Sequence, residues 1–415
     1  MGYPIRAGLA GIGGYGVTHA RALETLEQEG KVRFVAAADP RLDANREMVS
    51  RLRQAGVRVT DDWQALLEEE IDLLLIAAPI HLHAEMAVAA LRRGIHVFCE
   101  KPAAVTIQDV EAICQAERES GKKVGVGFQY LTGELLPVAA QLLAGGRLGK
   151  VKRIVAVGLW QRGARYFSRN SWAGKRRVDG RWVLDGPMNN ALIHQLNNAL
   201  YLAGAIDSGC SPVLGQPVTI ASPAEVRAEL YRASPWTEME DTATLFLRTE
   251  EGTAVYFLAS YCSPRSEPVW IVVQGERGRL TWSEKQLEIE EVGGRRETRV
   301  GQPGATSILI RNMVDVAAGL IPSPLVPVAE SRKLVRATNG AYLSTELIHP
   351  IDARFTQVVE PPPDQPQAER LVVLPGLNEL FRSLASAGNL PSDTGVPWSV
   401  STRLVSVRGL TRFEW

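Results

Sequence analysis

The sequence predicts an α/β fold: a doubly wound parallel sheet, followed by an α+β domain with a large, mostly antiparallel open sheet. Three observations carry this expectation. Over residues 1–128 short apolar runs alternate with helical patterns. A glycine-rich turn joins the first run to the first helix, and over residues 225–292 the rhythm changes to successive strand-like runs.

Taken in order, the apolar runs lie at residues 5–10, 32–38, 73–78, 95–99 and 124–128. Runs that are apolar throughout suit strands buried on both faces of a parallel sheet. Helical patterns at residues 18–29, 43–54, 85–93 and 107–120 separate them and complete the βαβ repeat. Next come a helix at residues 134–144, a strand at 152–160 and a long loop.

The stretch "DGPMNNALIHQLNNALYLAG", residues 185–204, reads as one helix. Asp185 or Gly186 can cap it, Pro187 suits its first turn, and Gly204 suits its exit. Leu192, Leu196, Ala199 and Ala203 form a buried stripe; Asn190, His194, Asn197 and Tyr201 stack on a neighbouring one. Such a polar ladder is costly unless something binds to it, and no acid follows Asp185 along it.

Six runs from "EVRAELYR" to "QLEIEEV" read as adjacent antiparallel strands with short turns. Helices at residues 307–319 and 329–347 are expected to pack on that sheet. Residues 348–415 form an extension containing "EPPPDQPQ", a stiff exposed connector, a short helix near 377–387 and a strand-like "WSVSTRLVSVRG". The expected parts are therefore 1–128, 129–347 and 348–415, the last apolar enough to pack on the second.

A chain of 415 residues exceeds one ordinary domain. Its 46 Lys and Arg balance 46 Asp and Glu, so no overall field draws it to nucleic acid or an anionic membrane. Neither is expected as a partner. Four cysteines without CxxC spacing imply free thiols, with no disulfide framework and no metal site. The chain shows no signal-peptide layout and no apolar run of membrane-spanning length, so the expected location is the cytoplasm.

The first apolar run enters "GIGGYG", with Gly11, Gly13 and Gly16 at G-x-G-x-x-G spacing and Ile12, Gly14 and Tyr15 between them. Asp39 ends the second run, 23 residues beyond Gly16. Strand, loop, helix and acid in that order form a dinucleotide-binding fingerprint of Rossmann type, with the phosphates at a helix N-terminus and the acid on the ribose. Asp39 favours NAD, because its charge repels a 2′-phosphate. Arg41 and Arg46 lie close enough in sequence to leave NADP open.

The fourth run ends in "HVFCEKPAAV". Ligands of open α/β sheets bind outside the carboxyl ends of the strands, which sets Lys101 near a nicotinamide. There a partly desolvated amine can act as general acid or base. Glu100 would hold Lys101 or contact the cofactor, and Pro102 fixes the turn.

In order along the chain, "GIGGYG", "APIHLH" (78–83), "EKP" (100–102), "GVGFQY" (125–130) and the helix around His194 resemble the Gfo/Idh/MocA family of NAD(P)-dependent oxidoreductases. The later "ESRKLVRATNGAYLST" looks like that family's terminal domain helix. The resemblance implies a Rossmann domain and an open-sheet domain that assembles homodimers or homotetramers. It implies hydride transfer between nicotinamide and a secondary alcohol or ketone of a sugar, inositol or related polyol. Lys101 matches the family's characteristic lysine, and His194 its helix-borne histidine. Ala78, Pro79, His83 and Gln129 would join the cofactor site, with Tyr130, Asn190 and Asn197 on the substrate.

Several departures matter. Asn190 stands where the family has Asp, Asn197 where an acid sometimes follows, Ile80 where Asn is frequent, and Tyr130 where Arg is frequent. The glycine tract before the helix shrinks to Gly186. An amide at position 190 can orient a hydroxyl or the imidazole but cannot take a proton, so proton transfer falls to Lys101 and His194. The loop at residues 161–184 holds seven basic residues, four aromatics and one acid. It suits a lid in which Tyr166 and Trp172 stack on a sugar while Arg162 or Arg165 binds polar groups. Two other readings stay open: a glycoside hydrolase or lyase that retains NAD for transient oxidation, and a nucleotide-binding homologue without chemistry.

Overall fold

The computed structural model describes residues 2–364 and 367–415. Part of the "EPPPDQPQ" connector, residues 365–366, lies outside the described residues. The N-terminal half runs β1 (Ile5–Ala10), α1 (Gly16–Gln28), β2 (Val32–Ala38), α2 (Arg46–Gln54), β3 (Arg58–Thr60) and α3 (Trp63–Leu66). It continues through β4 (Leu73–Ile76), α4 (His83–Arg92), β5 (His96–Cys99), α5 (Ile107–Ser120) and β6 (Val124–Val126). All neighbouring strands pair in parallel in the order β3-β2-β1-β4-β5-β6. Strand order therefore reverses between β1 and β4, which opens a crevice at their carboxyl ends. The short β3 and α3 carry too few apolar residues to register as runs.

The second half begins with α6 (Leu135–Ala144), β7 (Val151–Leu159), α7 (Ala164–Ser168), the hairpin β8 (Arg177–Val178) and β9 (Arg181–Trp182), and α8 (Ile193–Ser208). Strands β10 (Pro223–Arg232), β11 (Thr242–Thr249), β12 (Ala254–Ser260), β13 (Trp270–Gly275), β14 (Gly278–Trp282), β15 (Gln286–Glu291) and β16 (Arg296–Val300) follow. After them come α9 (Thr306–Ala317), α10 (Val328–Thr345), β17 (His349–Pro350), β18 (Gln357–Val359), β19 (Leu371–Val373), α11 (Leu377–Ala387) and β20 (Val405–Ser406).

The large sheet has ten strands in the order β16-β15-β14-β13-β7-β12-β11-β10-β17, with β20 also on β10. It is mostly antiparallel; β7 runs parallel to β12 and β17 parallel to β10. Helices α6, α8 and α10 cover one face and α11 the other. Cys99, Cys114 and Cys262 are buried free thiols and Cys210 is an exposed one. No helix among the described residues is long and apolar enough to cross a membrane.

Two expectations need correction. Helix α9 does not pack on the large sheet. Its buried Leu309, Ile310, Met313 and Val314 face α1 and the parallel sheet instead. Gly125 of β6 makes room, since a Cβ there would lie 2.6 Å from the Met313 sulfur.

The helix predicted over residues 185–204 begins only at Ile193, with Leu184 at φ +49° and Asp185 spent on the backbone of another loop. It also runs past Gly204 to Ser208, ending on left-handed Gly209. Gly204 serves close packing: a Cβ would meet the backbone of Thr219 and Ala221 at 3.0 Å. Asn190 therefore precedes the helix, and α8 is buried nearly all round rather than along one stripe, as suits a helix enclosed by other elements.

Candidate active site

The site grows from the turn between β1 and α1. Gly11 has φ +93°, and a Cβ there would stand 2.5 Å from the Ala77 carbonyl. A Cβ on Gly16 would stand 2.1 Å from the Gly11 carbonyl, so only glycine lets α1 start this close to the strand. Helix α1 has neither a capping side chain nor an acid in its first turn, and its N-terminal partial charge is left for an anion. Asp39 organises the loop. Its carboxylate accepts from the amides of Ile12 at 3.1 Å, Gly13 at 3.3 Å and Arg41 at 2.8 Å. A carboxylate has about four lone-pair positions, so capacity remains for a ribose hydroxyl. Beside it, Arg41, Arg46 and Arg53 with Asp43 and Asp61 line an open concavity of about 790 Å³. Gly14 completes the loop at φ +52°, and the Tyr15 hydroxyl crosses to Thr306 of α9 at 2.7 Å. Cradle, helix end and acid fit a dinucleotide.

At the carboxyl ends of β4 and β5 the polar groups are heavily committed. Buried His83 directs one ring nitrogen at the Pro102 carbonyl (2.8 Å) and the other at the Ala78 carbonyl (2.9 Å). It thus ties the "EKP" turn to the segment holding Ala78 and Pro79. Glu100 does not hold the lysine amine. One of its oxygens meets buried His19 at 2.9 Å, and the other accepts from the Lys101 backbone amide at 3.1 Å. Gln129 opens the turn after β6 with its Oε1 buried and unpartnered.

Lys101 is half-buried, with its Nζ donating to the Asn190 carbonyl at 3.1 Å and to Asn190 Oδ1 at 3.2 Å. Burial lowers its pKa, against the opposing pull of Glu100 and Asp185. Asn190 Nδ2 donates to Asp185 Oδ1 at 2.6 Å. Buried Asp185 also accepts from the Gly174 amide at 2.7 Å and pairs with Arg169 at 3.5 Å. Burial raises its pKa while Arg169 opposes the rise. The carboxylate missing at position 190 is therefore present one hydrogen bond further on.

His194 lies in the first turn of α8, buried, with its ring 4.7 Å from Tyr130 and 5.6 Å from Phe128. Burial, then the Lys101 charge, holds its pKa well below the ordinary imidazole value. Its Nδ1, Asn197 Nδ2 and both amide atoms of Asn198 are buried without partners in the protein. Orphaned polar atoms grouped on one helix cost folding energy unless a ligand or water meets them.

The lid residues are arranged differently from the sequence reading. The Arg169 guanidinium lies over the Tyr166 ring at 3.7 Å and the Trp172 ring at 5.3 Å, so these rings clamp an arginine. Arg165 does not reach the site: it donates to the Gln367 carbonyl of the extension. Arg169 takes the place beside Asp185. Burial, and then the nearby Glu284 carboxylate, raises the pKa of the Tyr130 hydroxyl, while its ring lies against His194.

Residues 5–128 match the Gfo/Idh/MocA oxidoreductase family, NAD-binding Rossmann fold, and residues 138–281 match that family's C-terminal domain. The chain belongs to the Gfo/Idh/MocA family. Its N-terminal domain is thereby an NAD-binding domain of an oxidoreductase. The chain is 28% identical over 286 residues to a protein of Amycolatopsis mediterranei assigned as the oxidoreductase subunit of UDP-kanosamine synthase, covering 66% of this chain and 74% of that one. It is 35% identical over 128 residues to inositol 2-dehydrogenase of Salmonella typhimurium, covering 30% and 37%. Among solved structures, the WlbA dehydrogenase of Bordetella pertussis, in complex with NADH and UDP-GlcNAcA, superposes with a TM-score of 0.67 at 20% identity. That match covers 83% of this chain and 97% of that one.

Three residues that the geometry sets around Glu100 and Asn190 were not singled out by the sequence as site residues: His19, Asp185 and Arg169. His19 had a signal, falling on the buried stripe of α1 with Gly16, Ala20 and Leu23. Asp185 was visible but read as a helix cap. Arg169 was one of seven basic loop residues, with nothing in its spacing to single it out.

Proposed function

We propose that this Gfo/Idh/MocA protein is an NAD-dependent dehydrogenase of a secondary alcohol on a sugar, inositol or related polyol, or a reductase of the matching ketone. The arrangement of Lys101 carries this reading. Two of its Nζ positions are directed at Asn190. The third, an N–H when protonated and a lone pair when neutral, is left for a substrate hydroxyl. Bound NAD would supply the hydride acceptor, seated on Gly11–Gly16 and Asp39 with its nicotinamide toward Lys101. Lys101 takes the hydroxyl proton during oxidation and returns it during reduction. Asn190 aims the amine, and Asp185 fixes the Asn190 amide so that its oxygen faces the lysine. Neutral His194 offers a ring nitrogen to a substrate oxygen. The sugar names and complexes of the relatives support a carbohydrate-like substrate.

A panel of sugars and inositols incubated with NAD, read by absorbance of reduced cofactor, tests the proposal. Turnover of at least one polyol that disappears in Lys101→Ala supports it. Product formation without net cofactor reduction would favour transient oxidation with NAD retained, and no turnover with any member in either direction would count against both.

A further inference from the structure

An open sheet of ten strands has two broad faces to cover. On the face away from α8, strand alternation gathers Val155, Val157 and Leu159 of β7, Leu258 of β12, and Trp270 and Val272 of β13 into one apolar centre. Left bare, that patch would invite a second copy of the chain. It is covered in cis. Leu377, Phe381, Leu384 and Ala385 of α11 are buried on it. The margins are fastened as well. Arg227 of β10 holds both Asp393 oxygens at 2.7 and 2.6 Å, and buried Glu229 accepts from the Ser392 hydroxyl at 2.6 Å. Arg153 of β7 donates to the Ser386 carbonyl.

Beyond α11 the same face is mainly polar, with Arg279 and Thr281 on β14, Glu288 and Glu290 on β15, and Arg296 on β16, and one exposed apolar side chain, Val300, at the end of β16. Glu290 pairs with Arg279 at 2.7 Å and Arg296 at 2.9 Å. A partner docking there would have to desolvate a charge ladder that is already satisfied.

The same segment reaches the lid. The amide of Ala164, the first residue of α7, donates to the Arg370 carbonyl at 3.1 Å. Contact there is tight: a Cβ on Gly163 would stand 2.2 Å from that oxygen. Helix α7 carries Tyr166 and leads directly to Arg169, the partner of Asp185.

We propose that the extension, through its described residues 348–364 and 367–415, acts as a built-in substitute for a second subunit, closing the outer face of the sheet and propping α7 over the site, so that the chain works as a monomer. A monomer replaces the homodimer or homotetramer that the family resemblance implies. The role of α7 rests on the functional reading above, whereas the closure of the sheet does not. Light scattering on the full-length protein, over a wide concentration range, should give the mass of one chain throughout. A dimer or tetramer overturns the proposal. Gly163→Ala, the smallest change that collides with the Arg370 carbonyl, should keep that mass and speed amide exchange across residues 164–168, measured without substrate. With substrate, it should lower kcat/KM for the sugar roughly tenfold, through lost positioning, at unchanged Kd for NAD. Exchange in α7 as slow as in the wild type would overturn the propping role, whatever the activity proves to be.

Discussion

Lys101 and Asp185 are joined through one side chain: Asn190 accepts from the lysine amine at 3.2 Å and donates to the carboxylate at 2.6 Å. The Asp185 charge raises the Lys101 pKa, against the lowering by burial. Asp185→Asn removes that charge, so the amine should lose its proton at lower pH. For alcohol oxidation, the rising limb of the pH profile of kcat/KM is expected to move to lower pH. A limb that stays in place would show that Lys101 does not feel Asp185.

Lys101→Ala removes the proposed acid–base group while leaving the glycine cradle intact. Proton transfer by a positioned side chain contributes about 10²–10⁴-fold, and kcat should fall by that order while NAD binding is retained. Steady-state kinetics with cofactor titration separates the two. Loss of NAD binding alongside activity would instead place the lysine in the cofactor cradle.

His194 should stay neutral across the physiological range, because burial and the Lys101 charge both disfavour its imidazolium. The Cε1 proton resonance is expected not to titrate between about pH 5.5 and about pH 8, the span in which an unperturbed imidazole changes charge. His194→Ala should lower kcat/KM roughly 10²-fold without adding or removing a limb near neutral pH. A titrating resonance would mean that the ring is wet and does not serve as argued.

How much of this was legible in the sequence follows from the range of each interaction. The ends of β1, β2 and α5 could be read because an apolar run and a helical pattern are local signals. The loop Gly11–Gly16, Lys101 and His194 were legible through motif order. The Asp185–Asn190 pair was not, because the carboxylate is held by Gly174 and Arg169, eleven and sixteen residues upstream. Helix α9 showed an apolar stripe, but which sheet buries it depends on the missing side chain of Gly125. Packing partners of this kind are set by tertiary contact, which periodicity does not encode.

Gly16→Ala tests the cradle. The new Cβ would stand 2.1 Å from the Gly11 carbonyl, an oxygen with no flexible side chain to yield. Helix α1 must back away, taking its N-terminal amides with it. NAD binding should weaken at least about tenfold, equivalent to about 1.4 kcal/mol, as read by quenching of intrinsic fluorescence. Unchanged affinity would show that the phosphates sit elsewhere.

The last prediction concerns stability. Glu240 is fully buried, its two oxygens each 3.2 Å from the Tyr342 hydroxyl, with the Gly186 backbone pressed against it. Burial, the largest cause, pushes its pKa up to about 8, and the Asp185 and Asp241 charges add to the rise. The folded protein thus keeps a proton that the unfolded chain gives up near its ordinary carboxyl value. By linkage, the stability from this group is fully present below that value and is lost as pH rises through about 8. Thermal unfolding should show Tm falling between about pH 5 and about pH 8 and levelling above that, with a shallower fall in Glu240→Gln, which keeps the neutral shape at all pH values. An equally steep fall in the glutamine variant would assign the pH dependence to other groups.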